Sequence, residues 1–156
     1  MSPPNLRQLR SVLASRRLLQ TPTHGLPHWD RVALIGARMA EQSQADPLVV
    51  QLFAYFHDSC RESDGHDPDH GRRAAKLALD WHGTQFECAQ PQLDLLVQAC
   101  AGHADGQTSA NATIGTCWDA DRLDLPRVGV MPRTSMLSTA AARDKSLLQW
   151  VLSLER

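Results

Sequence analysis

Apolar residues recur at intervals of three and four along most of the chain, and no strand-length stretch alternates cleanly between apolar and polar. Leu6, Leu9, Val12, Leu13 and Leu19 sit at helical spacing among four arginines, which predicts an amphipathic helix docked on the rest of the protein. After the turn formers Thr21-Pro22 and His24-Gly25-Leu26-Pro27, the segment 28–41 carries Val32, Ile35 and Met39 on one helical face. Asp46-Pro47 is a helix start, with Asp as N-cap and Pro in the first turn, and Leu48 to Phe56 follows as a nearly continuous apolar run. Its length and its polar end at His57-Asp58 predict a central buried helix rather than a strand. The turn-rich stretch 63–68 precedes a helix over 69–81, closed near Gly83. Pro91 opens another, with Leu93, Leu96, Val97 and Cys100 inward and an end near Gly102-His103. A helix over 112–125 is stopped by Pro126, residues 128–138 are irregular, and Leu147, Leu148, Val151 and Leu152 mark a last amphipathic helix. The predicted fold class is all-α, a single-domain bundle of about six helices.

Composition narrows the function. A length of 156 residues suits one cooperative unit, and 42% hydrophobic with 21% charged residues is ordinary for a globular chain. Lys plus Arg number 16 against 17 Asp plus Glu, so the basic excess of a nucleic-acid module is absent and no polymeric nucleic acid is expected as partner. No run approaches the roughly 18 to 20 apolar residues of a membrane span, and no apolar signal core of roughly 7 to 15 residues follows the N-terminal arginines. Cys60, Cys88, Cys100 and Cys117 form no CxxC pair and read as reduced thiols of a cytoplasmic protein. Histidine stands out, with seven residues against a single Tyr.

The sharpest local feature is His57-Asp58 at the end of a buried helix. A carboxylate there needs a partner, and a divalent cation neutralises it while taking the imidazole as a further ligand; a hydrogen-bonded pair or a helix cap is the plainer alternative. His28 near one helix start, His70 at another, His103 at a helix end and Asp119-Ala120-Asp121 in the fifth predicted core helix add ligand-type residues in four more segments. In a bundle such residues converge on one cavity. The mixed nitrogen and oxygen set suits Mn, Fe, Co, Ni or Zn, and cysteine is absent from it, which argues against a structural zinc site. His70 and His103 have local readings too, as a solvent-facing first-turn residue and as a cation at a helix C-terminus.

With those residues in view, the chain resembles the HD superfamily of metal-dependent phosphohydrolases. The order His28, His57-Asp58, Asp121 is similar to that family's lone His, His-Asp doublet and distal Asp. His28-Trp29-Asp30-Arg31-Val32, Phe53 to Asp58, and Ala120-Asp121-Arg122-Leu123 resemble the three motif contexts. The resemblance covers roughly residues 24 to 125. It implies a metal-binding helical core there, with residues 1–20 as a packed N-terminal helix and 126–156 completing the same domain. It also implies His28, His57, Asp58 and Asp121 as ligands of a first metal. Asp119 is the rival for the last position, and the Ala-Asp-x-Leu frame favours Asp121. His70 and His103 resemble the ligands that two-metal members add, with Asp58 then bridging the ions. The implied cofactor is one or two divalent ions, Mg included, and the implied partner is a small phosphorylated substrate, a nucleotide first among them.

The expected chemistry is hydrolysis of a phosphate ester or pyrophosphate. A divalent ion lowers the pKa of bound water from about 15.7 to about 7 and so supplies hydroxide at neutral pH. Asp58, Arg61 and Arg31 are the candidate catalytic residues. Arg61 leads, one helical turn past the doublet; Arg122 is a further cation beside a ligand, and surface ion pairing is the plainer fate of all three arginines. The sequence Ser59-Cys60-Arg61-Glu62 lacks the Glu-Asp pair of alarmone hydrolases, and no Gly-Tyr-Pro follows His103 as in the cyclic dinucleotide phosphodiesterases. A regulatory domain that binds metal and nucleotide without hydrolysis, and a diiron oxygenase, are the alternatives. The C-terminal helix with Trp150 is a candidate homodimer face.

Overall fold

The structure, a computed structural model, describes residues 2–18 and 23–156. Leu19 and the Thr21-Pro22 turn signal lie outside the described residues. Among the described residues seven α-helices form: α1 (Leu6–Ser15), α2 (Leu26–Ser43), α3 (Pro47–Phe56), α4 (His70–Trp81), α5 (Gln90–Gly102), α6 (Ala112–Leu123) and α7 (Lys145–Leu152), with three short 3-10 turns between α6 and α7. Among the described residues there is no strand beyond an isolated bridge between His82 and Phe86. The all-α expectation holds.

Helix α3 is the hub. Val49, Val50, Leu52, Phe53, Ala54 and Phe56 are all buried, and α1, α2, α4, α5 and α6 pack around it. A helix apolar on every face is stable only when surrounded, which is why Leu48 to Phe56 forms the centre. Its start follows the local chemistry: Asp46 Oδ1 accepts from the Leu48 and Val49 amides, and Pro47 occupies the first turn. Helix α2 crosses it closely at Gly36, where a Cβ would collide with the Val50 side chain. Helix α1 docks through Leu9 and Leu13, and Arg10 pairs with Asp30 of α2 at 2.6 Å.

Two boundaries differ from the sequence expectation. Helix α2 begins at Leu26 with Pro27 in its first turn, so His28 lies inside that turn. Helix α6 ends at Leu123, short of the predicted Leu125, and Leu125–Val128 tightens into a 3-10 turn. Pro126 has no N–H to return to the preceding turn, so the α ladder fails before the proline is reached.

Candidate metal centre

Five segments meet at the C-terminal end of α3. His28 comes from the first turn of α2, His57 and Asp58 from the end of α3, and His70 from the start of α4. His103 closes α5, and Asp121 lies in the last turn of α6. All four histidines and Asp58 are buried. Helices α4 and α5 approach closely at Gly71, where a Cβ would sit 2.5 Å from the Cys100 carbonyl oxygen and 3.1 Å from His103 Nδ1. The missing side chain is what lets His70 and His103 meet.

Each imidazole is held by its Nδ1 edge. His28 Nδ1 lies 2.8 Å from Asp124 Oδ2, His57 Nδ1 3.0 Å from the Ala54 carbonyl, His70 Nδ1 2.6 Å from the Asp67 carbonyl, and His103 Nδ1 2.7 Å from the Cys100 carbonyl. Carbonyls and carboxylates only accept, so every Nδ1 carries a proton and every neutral Nε2 turns a lone pair inward. The Nε2 atoms of His28 and His57 stand 3.1 Å apart, and those of His70 and His103 2.9 Å apart. Lone pairs facing at that distance repel unless a proton or a metal cation lies between them.

Asp58 divides its oxygens between the two pairs. Oδ2 is 3.4 Å from His28 Nε2 and 3.3 Å from His57 Nε2, while Oδ1 is 3.2 Å from His70 Nε2 and 3.5 Å from His103 Nε2. Asp121 Oδ1 joins the first pair, 3.1 Å from His28 Nε2 and 3.5 Å from His57 Nε2. Donor-to-donor edges of roughly 3.0 to 3.5 Å are those of ligands sharing one ion at bonds of about 2.1 Å, so the set fits divalent cations. Two groupings follow, His28 with His57 and Asp58, and Asp58 with His70 and His103.

The electrostatics agree. Burial by itself raises the Asp58 and Asp121 carboxyls, but the facing imidazoles, His57 foremost, outweigh it and hold both well below the usual carboxylate range. Burial also opposes charge on His57, yet Asp58 and Asp121 carry its pKa up to about 10. The cluster therefore demands positive charge, as protons or as metal.

The remaining candidates separate. Asp119 is turned away, accepting from the Ser138 and Thr139 amides and the Thr139 hydroxyl, and of the two aspartates it is Asp121 that faces the histidines. Arg31 donates from Nε to Asp124 Oδ1 at 2.8 Å behind His28 and is not among the residues lining the cavity above the cluster. A guanidinium facing a fully buried carboxylate is held there by charge. Arg61 does line that cavity, 3.5 Å from Asp58 Oδ1, while its Nη1 ties down the Ser63 and Gly65 carbonyls. The cavity, about 230 Å³, is walled by His24, Arg61, Arg122, Leu125, Arg127 and Val128. His24 pairs with Asp64 at 2.9 Å at its edge. His66 is exposed, and His82 reaches the Cys88 carbonyl far from the cluster.

Sequence reasoning missed two residues. Asp124 is fully buried and takes His28 on one oxygen and Arg31 on the other, with Arg156 Nη2 3.6 Å away. Arg127 donates to the Thr23 and Asp124 carbonyls and adds a cation to the cavity wall. The one available signal was spacing, since Asp121 and Asp124 are three apart and so share a helical face.

No family model matches the chain, and no curated protein matches it. A solved structure does match: a predicted HD superfamily hydrolase from an uncultured Thermotogales bacterium, 22% identical, with a TM-score of 0.71 over 96% of this chain and 86% of that one. The chain has the all-α fold of that HD-type protein, and its buried His–Asp cluster fits the HD pattern.

Proposed function

We propose that this protein is a metal-dependent phosphohydrolase that cleaves a phosphate ester or pyrophosphate bond of a small phosphorylated metabolite, such as a nucleotide. The observation that carries the reading is the division of Asp58, one oxygen toward each histidine pair. One divalent ion of Mn, Fe, Co, Ni, Zn or Mg would be held by His28, His57, Asp58 and Asp121, and a second by Asp58, His70 and His103. When bound, such ions supply a nucleophile at neutral pH and polarise the phosphoryl group.

The chain's own residues account for the rest. Nδ1 hydrogen bonds fix all four rings before substrate arrives, which limits reorganisation during the reaction. Arg61, Arg122 and Arg127 line the cavity and offer planar donors matched to phosphate oxygens. Arg61 is the nearest of them to Asp58, and it is the residue we assign to the charge that develops on the departing phosphate.

The test is turnover of a phosphomonoester and nucleotide panel by purified protein titrated with Mn, Co, Ni and Mg. Activity lost in both His57→Ala and Asp58→Ala is expected. Absence of turnover with every metal, or activity that survives those substitutions, refutes the proposal. Bound metal with nucleotide-dependent thermal stabilisation but no turnover instead assigns a regulatory domain, and an iron pair that reacts with oxygen assigns an oxygenase.

A further inference from the structure

The phosphate-binding arginines are not alike. Arg61 and Arg127 have Nε and Nη1 engaged by carbonyls or carboxylates, and neither has a buried donor without a partner. Arg122 is 8% exposed, and its Nη1 donates to the Met136 carbonyl at 2.7 Å, but its Nη2 is buried with no hydrogen-bond partner. Among the described residues it is the one buried side-chain nitrogen or oxygen in that condition. An unmet donor on a buried cation is costly, so its retention calls for an acceptor that arrives from outside.

Arg122 also stands between two cavities. One is the space above the His–Asp cluster; the other, about 360 Å³, is walled mainly by the apolar Leu125, Val130, Met131, Pro132 and Met136, with Arg133 beside them. Leu125 and Arg122 belong to both walls. Val130 and Met131 are 49% and 55% exposed, an uncommon concentration of apolar surface beside a polar site. A charged site opening through a shared arginine into an apolar groove fits an amphipathic ligand.

We infer that Arg122 Nη2 receives a phosphate oxygen of the substrate, and that the groove of Leu125, Val130, Met131 and Met136 takes an apolar, ring-sized group carried on that phosphate. The substrate class is then a monophosphate ester of an apolar or aromatic alcohol. This deepens the proposed phosphohydrolase activity and rests on that reading for the bond that is cleaved, though not for the binding.

The test is calorimetric binding of naphthylmethylphosphonate and of methylphosphonate, whose C–P bonds resist hydrolysis, to the metal-loaded full chain. Wild type is expected to bind the naphthyl compound at least tenfold more tightly. The double substitution Val130→Ser with Met131→Ser, at two exposed positions, brings that ratio to near one. Arg122→Gln weakens both ligands by about tenfold or more, Arg122→Lys recovers part of the loss, and phosphonate raises the unfolding temperature of wild type but not of Arg122→Gln. A wild-type ratio near one, or a ratio unmoved by the groove substitutions, overturns the apolar subsite. Unchanged affinity in Arg122→Gln overturns the role of Arg122. Intact phosphonate binding by a protein that hydrolyses no phosphate ester refutes the hydrolase reading alone and leaves this inference standing.

Discussion

Asp124 illustrates how much of the centre depends on residues that would never touch an ion. Its carboxylate, fully buried, fixes the proton of His28 on Nδ1 and so the lone pair on Nε2. Arg31 compensates its charge from the other side. Outer partners of this kind are worth about 10- to 100-fold in metal affinity. Asp124→Ala is therefore expected to weaken metal binding by about that factor, read by competition with a chromophoric chelator, while Asp119→Ala leaves metal affinity unchanged because Asp119 serves only residues 138 and 139. Beyond its spacing of three from Asp121, nothing in the one-dimensional pattern distinguishes Asp124 from an exposed acid at a helix end. Ninety-six positions separate it from His28, and only the packing of α2 on α6 closes that interval to 2.8 Å. The placement of Arg31 was hidden for the complementary reason: proximity in sequence to His28 says nothing about which side of the ring a flexible side chain will take.

At the scale of helices and loops, the α4–α5 contact controls the second histidine pair. Gly71→Ala introduces a methyl at 2.5 Å from the Cys100 carbonyl oxygen and is expected to cost about 1 to 3 kcal/mol in denaturant unfolding, as overpacking generally does. It should also lower the metal-to-protein ratio in elemental analysis, because the shift falls on His103. The loop before α4 is clamped by Asp67, which accepts from the Glu62 and Ser63 amides and pairs with Arg73 at 2.6 Å. Burial pushes the Asp67 carboxyl up, but those amides and Arg73 outweigh it and hold the carboxyl below its usual value. A carboxyl lowered on folding stabilises the protein fully above about pH 4 and loses that contribution as the pH falls through its folded value. The acid limb of the unfolding free energy should therefore be shallower in Asp67→Asn than in wild type. Equal limbs would show that the clamp contributes nothing. The helix start at Asp46-Pro47 was legible because a cap is a local device that acts within three residues. The end of α6 was not, because a proline's missing donor is felt upstream of the proline itself.

For the molecule as a whole, buried Asp58 faces four inward imidazoles and half-buried Asp121 two of them at the meeting point of five segments, so cations bound there would hold the bundle together. Stripping divalent ions with a chelator is expected to lower the unfolding temperature by about 5 to 10 °C, since a ligand at a hundredfold its Kd adds about 2.7 kcal/mol and each kcal/mol shifts a chain of this size by about 2 to 4 °C. Recovery on adding Mn or Zn should be complete, and a temperature indifferent to chelator would remove the ions from the account. Trp150, an anticipated contact for a second copy, is covered in part by Arg38, whose guanidinium lies 4.2 Å from the ring centroid.

The hydrophobic pattern determined by itself that the chain is all-α and that Leu48 to Phe56 is its buried axis, because helical period and the cost of exposing such a run are local properties of sequence. The ligand-type residues were likewise visible, since few arrangements of His and Asp at helix ends are better satisfied than by a cation. Tertiary structure decided what could not be local: that Asp58 faces two pairs rather than one, that Asp124 and not Arg31 stands closest behind His28, and that Arg122 keeps an unmet donor between a charged cavity and an apolar one. Those are distances between segments far apart in the chain, and packing alone fixes them.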